Sequence, residues 1–368
     1  MEKLKSYLTL SVFILLIGGA FLLNLILPPP EVLVSERRRP VSFPKFSINN
    51  LISTEFMNGF SKYAADNFAF RDELRTIRAA SVFYVFRQTD KSGIYTDKSV
   101  GAGKFDTPNE RSIRRAGEKI LKLTEFFPNL NVYYSVIPDK SIYTQRSFPG
   151  FDPELTQTIL AEQLQNLTYI DLTGALSGGD FYRTDIHWDQ SKINGVLDTL
   201  SEAIGFTLDK NFNVKSAGEF HGVYTGQLAL PQPPDTMRYL TGDAIDSAVI
   251  KYFDPSVNGW VTGHMYEIEA ASGRDPYDMF LRGVQPLITI ENQSANTTNR
   301  QLYIFRDSFS SSLAPLLTSA YKTITLIDMR YIDSRILTDY VTFAQTDADV
   351  LFLYSSQILN NAEVLLIN

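Results

Sequence analysis

Two short segments of this 368-residue chain carry side chains able to combine acid–base and covalent chemistry. The first runs Phe181-Tyr182-Arg183-Thr184-Asp185-Ile186-His187-Trp188. On an extended backbone, residues i and i+2 point to the same side, which sets Asp185 beside His187. A carboxylate there accepts the Nδ1 proton and leaves Nε2 free as a base. Taken alone, the pair also reads as a structural hydrogen bond or as half of a metal site. The second segment runs Tyr303-Ile304-Phe305-Arg306-Asp307-Ser308-Phe309-Ser310. Ser308 follows an apolar strand and opens a helix, a junction that presents a side chain at the strand's C-terminal end and turns N–H groups toward it. The plain alternative is that Asp307, Ser308 or Ser310 caps the helix, which for this segment by itself is the stronger reading. Both can hold at once, with Asp307 capping and Ser308 attacking. Cysteine is absent, so any covalent step falls to Ser, Thr, Lys or a carboxylate.

The elements that must position these groups follow from periodicity. Residues 49–66 and 70–87 read as helices, the second with Leu74, Ile77, Ala80 and Phe83 on one stripe. Residues 93–101 read as a hairpin. Thr107-Pro108-Asn109-Glu110 has the form of a capping box before the stripe Ile113, Ala116, Ile120, Leu123, Phe127. Strand 131–137, helix 153–165, strand 168–172 and a helix from Ile193 to Gly205 then alternate. Residues 206–298 are rich in Gly, Pro, Thr and Tyr and suggest a β-rich insertion. The alternation resumes with strand 302–305, helix 313–321, strand 323–327, helix 334–343 and strand 350–354. Strands alternating with helices predict an α/β domain over residues 47–368, a parallel sheet flanked by helices and carrying that insertion.

Tyr7 to Leu27 is a run of 21 residues without charge, preceded by Lys3 and Lys5. At about 1.5 Å per residue it matches a bilayer core of roughly 30 Å. It exits through Pro28-Pro29-Pro30 with no small-residue cleavage motif, which predicts an uncleaved anchor after a short cytoplasmic stretch, residues 1–6. Arg37, Arg38 and Arg39 dilute the orientation cue, but long C-terminal domains translocate largely regardless; the domain is expected outside. Residues 28–46, rich in proline and charge, read as a linker. A net charge of −7 and a pI near 5.2 argue against nucleic-acid binding.

The blocks Thr184-Asp185-Ile186-His187-Trp188, Asp307-Ser308-Phe309 and Ile327-Asp328-Met329-Arg330-Tyr331 together resemble the bacterial DHHW proteins, which are similar to the SGNH-hydrolase-like proteins of alginate O-acetylation. The single N-terminal span, Asp66-Asn67-Phe68-Ala69-Phe70-Arg71 and Ile137-Pro138-Asp139-Lys140 extend that resemblance over most of the exported part. Ile186 stands where the namesake motif has its first histidine. The resemblance implies a triad in the order Asp185, His187, Ser308, an SGNH-like sheet, and transfer or hydrolysis of O-acetyl groups on an envelope polysaccharide. No cofactor is expected, and a membrane-bound O-acyltransferase is a candidate partner beside the glycan. Arg330 matches an arginine placed near the sugar, although an ion pair with Asp328 or Asp333 is an equal reading. Lys140 could bring positive charge to the cleft, and Tyr182 and Trp188 a sugar-stacking face, against an exposed lysine and two core aromatics. Two other functions stay open: a non-catalytic glycan-binding or assembly protein, and a metal-dependent hydrolase centred on Asp185 and His187. His221 and His264 show no ligand spacing, though with His187 they could form a zinc site.

Overall fold

Strand residues 301–306 show how the core is built. Leu302 and Ile304 face one side, Tyr303 and Phe305 the other, and all four are buried. A strand apolar on both faces belongs in the middle of a sheet covered twice. The computed structural model, which describes residues 2–294 and 298–368, places it there. The last residues of the expected insertion, 295–297, lie outside the described residues.

The chain divides into two units, residues 92–224 with 232–368, and residues 1–91 with 225–231. The larger is a mixed α/β unit around an eight-stranded sheet. Its strands are β1 (Asn131–Ile137), β2 (Thr168–Tyr169), β3 (Val249–Asp254), β4 (Gly259–Gly263), β5 (Leu287–Glu291), β6 (Gln301–Arg306), β7 (Thr323–Ile327) and β8 (Ala348–Ser355). The order is β2-β1-β8-β6-β7-β5-β3-β4. The first five in that order pair in parallel, and the last three are antiparallel. The expected insertion is therefore only in part an insertion: β3, β4 and β5 extend the main sheet, while Asn213–Phe220 and Asp235–Thr241 pair with each other.

Within the smaller unit, α1 (Glu2–Ile26) contains the segment Leu4–Ile26, long and apolar enough to cross a membrane. The expected helix over 49–66 is two, α2 (Ile48–Ile52) and α3 (Glu55–Asp66), broken where Thr54 takes a left-handed φ of 65°. α4 (Arg71–Ala80) continues into one π turn, Ser81–Val85. The strap before α2 is tied down: the Arg38 guanidinium donates to both Asp66 oxygens at 2.6 and 2.7 Å, and Val41 N–H adds a third bond at 2.9 Å. Those bonds, Arg38 first, hold the buried Asp66 carboxyl below its ordinary range.

In the larger unit, α5 (Glu110–Leu123) and α6 (Pro153–Gln163) cover one face of the sheet. α7 (Asn194–Ile204) and the turns Ser310–Leu317 cover the other. The cap of α5 is Asn109, whose side chain accepts Ser112 N–H, rather than Thr107, because the helix begins only after Pro108. Gly205 ends α7 at φ 78°, as a C-terminal glycine should. The helix expected over 313–321 is one α turn and a 3-10 turn, since Pro315 cannot donate into a longer ladder.

Candidate active site

β6 ends at the C-terminal edge of the parallel strands, where open α/β sheets place ligands. From Leu302 to Thr318 every residue except Ser308 is buried. Asp307 shapes the turn: Oδ1 accepts Phe309 N–H at 3.1 Å and Oδ2 accepts Ser355 N–H at 2.7 Å, pinning the turn to the end of β8. The Ser308 N–H has no acceptor among the described residues and is free to meet an oxyanion.

Ser308 Oγ lies 2.7 Å from His187 Nε2, and His187 Nδ1 lies 2.7 Å from Asp185 Oδ1. The second Asp185 oxygen accepts Val223 N–H at 2.9 Å. A carboxylate beside Nδ1 requires the proton there, leaving the Nε2 lone pair to accept the serine hydroxyl. The Asp185 side chain is 4% exposed and that of His187 12%, so the relay is screened from water but reachable at the imidazole.

The backbone route to this arrangement differs from the expected extended segment. Residues 182–187 form a tight loop closed by the Phe181–Trp188 bridge and by Tyr182 N–H to His187 O at 3.0 Å. Within it, Asp185 Oδ1 also accepts His187 N–H at 3.2 Å. Three groups brace the loop. Asp235 accepts Arg183 N–H, Thr184 N–H and the Thr184 hydroxyl at 2.8, 2.7 and 2.6 Å. Gly222 approaches so closely that a Cβ there would stand 2.3 Å from Thr184 O and 2.4 Å from Asp185 Cβ. Lys140 is the third. Its buried ammonium donates to Asp185 O at 2.8 Å, Tyr182 O at 2.9 Å and Val100 O at 3.3 Å. Burial pushes this amine below its ordinary value.

Lys140 therefore brings no charge to a cleft: it is consumed inside the loop. Tyr182 and Trp188 likewise face inward. Tyr182 donates to Met237 Sδ at 3.3 Å and packs edge-on against Phe220. Trp188 is fully buried and donates to Ser312 Oγ at 2.8 Å. Neither offers a face to a sugar. Arg330 follows β7 at the same sheet edge and grips the buried Asp328 with Nε and Nη2, at 2.8 and 2.6 Å. His221 and His264 are exposed, and among the described residues no group of three or more His, Asp or Glu side chains is placed to hold a metal.

Sequence reasoning missed Tyr277. Its ring stacks on His187 at 3.7 Å between centroids and 7° between planes, and the Phe309 ring lies tilted against the imidazole at 4.8 Å. The Tyr277 hydroxyl donates to Ser312 Oγ at 2.7 Å, and burial keeps its proton on. Nothing in the local sequence links position 277 to 187, and only the fold brings them together.

The fold defines a mixed α/β protein built on a central, mostly parallel sheet. No model of a known protein family matches the chain, and no curated protein sequence does. Solved structures do resemble it. A DHHW family protein from Eubacterium siraeum superposes with a TM-score of 0.60 at 18% identity, over 75% of this chain and 95% of that one. PatB1 of Bacillus cereus, solved with a sulfonyl adduct, gives 0.56 at 18% identity over 74% and 96%. The O-acetyltransferase domain of Pseudomonas putida AlgJ aligns more loosely, at 0.42 and 13% over 73% and 92%. The expected likeness to DHHW proteins is met at the level of the fold.

Proposed function

We propose that the protein is a serine-dependent O-acyl transferase or esterase acting on an envelope polysaccharide, held at the membrane by α1 with the α/β unit outside. The observation that carries this reading is the continuous relay Ser308–His187–Asp185, ending in the one surface-reaching residue of an otherwise buried strand–turn. Ser308 Oγ attacks the ester carbonyl carbon as its proton passes to His187 Nε2. Asp185 holds the imidazolium that forms, and the Ser308 N–H faces the developing oxyanion. The imidazolium then protonates the departing alkoxide, leaving an acyl-serine. A sugar hydroxyl or water, deprotonated by His187, takes the acyl group and frees Ser308. Arg330, beside the same sheet edge, is the candidate contact for sugar hydroxyls, and a membrane-bound O-acyltransferase is the candidate acyl supplier. The motif resemblance favours acetyl as the group moved.

Full-length protein in detergent, assayed with a chromogenic acetyl ester, tests the reading. Ser308→Ala and His187→Ala should each remove nearly all turnover, with the double variant scarcely worse than either. Ser310→Ala is the control, because its hydroxyl is buried next to the same turn. A sulfonylating reagent, as in the PatB1 structure, should add its mass to Ser308 and protect nothing else. Turnover retained in both serine variants refutes the serine mechanism, and no turnover in the wild type leaves a glycan-binding role.

A further inference from the structure

The smaller unit exposes a large apolar surface that the proposed chemistry does not use. Phe43, Phe46, Phe56, Phe60 and Tyr63 touch one another, with ring centroids 5.1 to 6.4 Å apart. Yet Phe43, Phe46 and Phe60 remain 57%, 68% and 40% exposed, and neighbouring Ile48, Ile52 and Met57 more than half exposed. On α4, Leu74 and Ile77 of the apolar stripe are 47% and 61% exposed, and Phe70 ahead of them is 56% exposed. A soluble monomer seldom leaves so much apolar surface in water.

Two observations say what covers it. First, Asn24, in the last turn of α1, accepts Ala69 N–H at 2.9 Å, between the exposed Phe68 and Phe70. The α3–α4 junction is thereby fixed beside the end of the apolar segment, at the depth where a spanning helix leaves the hydrocarbon. Second, residues 28–91 hold ten Lys and Arg against seven Asp and Glu, whereas residues 92–368 hold 22 against 33. Arg71, Arg75 and Arg78 line a shallow groove with Ala64, Phe68 and Leu74, Arg71 and Arg75 also pairing with Glu36 and Asp72. Aromatic rings and long basic side chains around an apolar face are the composition of a bilayer interface.

We infer that α2, α3 and α4 lie on the outer surface of the bilayer that α1 spans, with Phe43, Phe46, Phe60, Phe70 and Ile77 seated among anionic lipid headgroups and upper acyl chains. The inference rests on the reading of α1 as a membrane span. It makes the smaller unit a membrane-bound platform rather than a tether, with two attachments: one through the hydrocarbon and one along its surface.

The chain lacks cysteine, so single-cysteine variants label at one site. Full-length protein is reconstituted into phosphatidylcholine vesicles with and without phosphatidylglycerol. Phe46→Cys, Phe60→Cys and Ile77→Cys carry an environment-sensitive fluorophore, with Leu15→Cys in α1 and Lys210→Cys in the larger unit as references. Nitroxide lipids should quench the three patch labels several-fold more than Lys210→Cys, shallow nitroxides more than deep ones, and anionic lipid should strengthen the effect. Leu15→Cys should respond to deep nitroxides, and Lys210→Cys to aqueous iodide alone. Patch labels that respond only to iodide overturn the inference. Labels shielded from both quenchers overturn it in favour of a second copy of the chain as the cover. Should Leu15→Cys also escape lipid quenching, the span itself is wrong and the inference falls with it.

Discussion

The proposed relay in the larger unit is braced by groups outside it, and their contributions separate by substitution. Tyr277→Phe keeps the ring against His187 and loses only the bond to Ser312, which should cost about 1 kcal/mol of stability and leave kcat near wild type. Tyr277→Ala removes the plane that holds the imidazole, and a displaced base should lower kcat by about 10²-fold. Equal kcat in the two variants rules out positioning by the ring. Lys140→Met strands three buried carbonyls, so a loss of about 3 kcal/mol in thermal or denaturant unfolding is expected, with turnover falling because Asp185 O is one of the three. A Lys140→Met protein as stable as wild type contradicts this account. That Asp185, His187 and Ser308 meet was legible because each sits in a short local motif. Lys140 was noticed for its charge and misplaced, since sequence cannot tell a cation aimed at a cleft from one aimed at carbonyls. Tyr277 and Asp235 carry no local signal: their partners lie 90 and about 50 residues away in the chain.

At the scale of elements, the loop that carries Asp185 and His187 is set by how closely other backbone comes to it. Gly222→Ala would drive a methyl into Thr184 O and Asp185 Cβ, neither of them the end of a flexible side chain. Turnover should fall by far more than thermal stability, because the strain is delivered to the carboxylate that orients His187. An alanine variant with normal kcat and a lowered Tm would show that the loop yields without moving Asp185. The strands that carry the site were readable because β6 and β8 are apolar on both faces. That β3, β4 and β5 continue the same sheet was not, since strand pairing across 32 to 42 residues leaves no periodic trace. The break at Thr54 was equally silent, because a left-handed φ at a threonine runs against its preference.

For the molecule as a whole, composition announced the apolar span and the acidic balance, but a stripe such as Leu74 and Ile77 reads the same whether protein or lipid covers it. Dependence on pH is a further whole-molecule property, and it centres on Asp139. This carboxyl is fully buried; burial first, then the neighbouring Asp106, pushes its pKa up to about 6, while Lys140 and two bonds from Ser141 pull the other way. Asp106 is also raised by its burial. In the window between the ordinary aspartate value of 3.8 and about 6, the folded state therefore holds a proton that the unfolded chain has lost. The contribution of Asp139 to stability falls as pH rises through that window, the reverse of what Asp66 contributes with its lowered value, which is lost only on strong acidification. Asp139→Asn keeps the oxygen that accepts Ser141 N–H and removes the titration. Measured by chemical denaturation, the variant should match wild type near pH 4 and become progressively more stable than it up to about pH 6, the gap staying constant beyond. The same gap at pH 4 and pH 7.5 would mean that Asp139 does not titrate in the folded protein, and that its buried charge is fully met by Lys140.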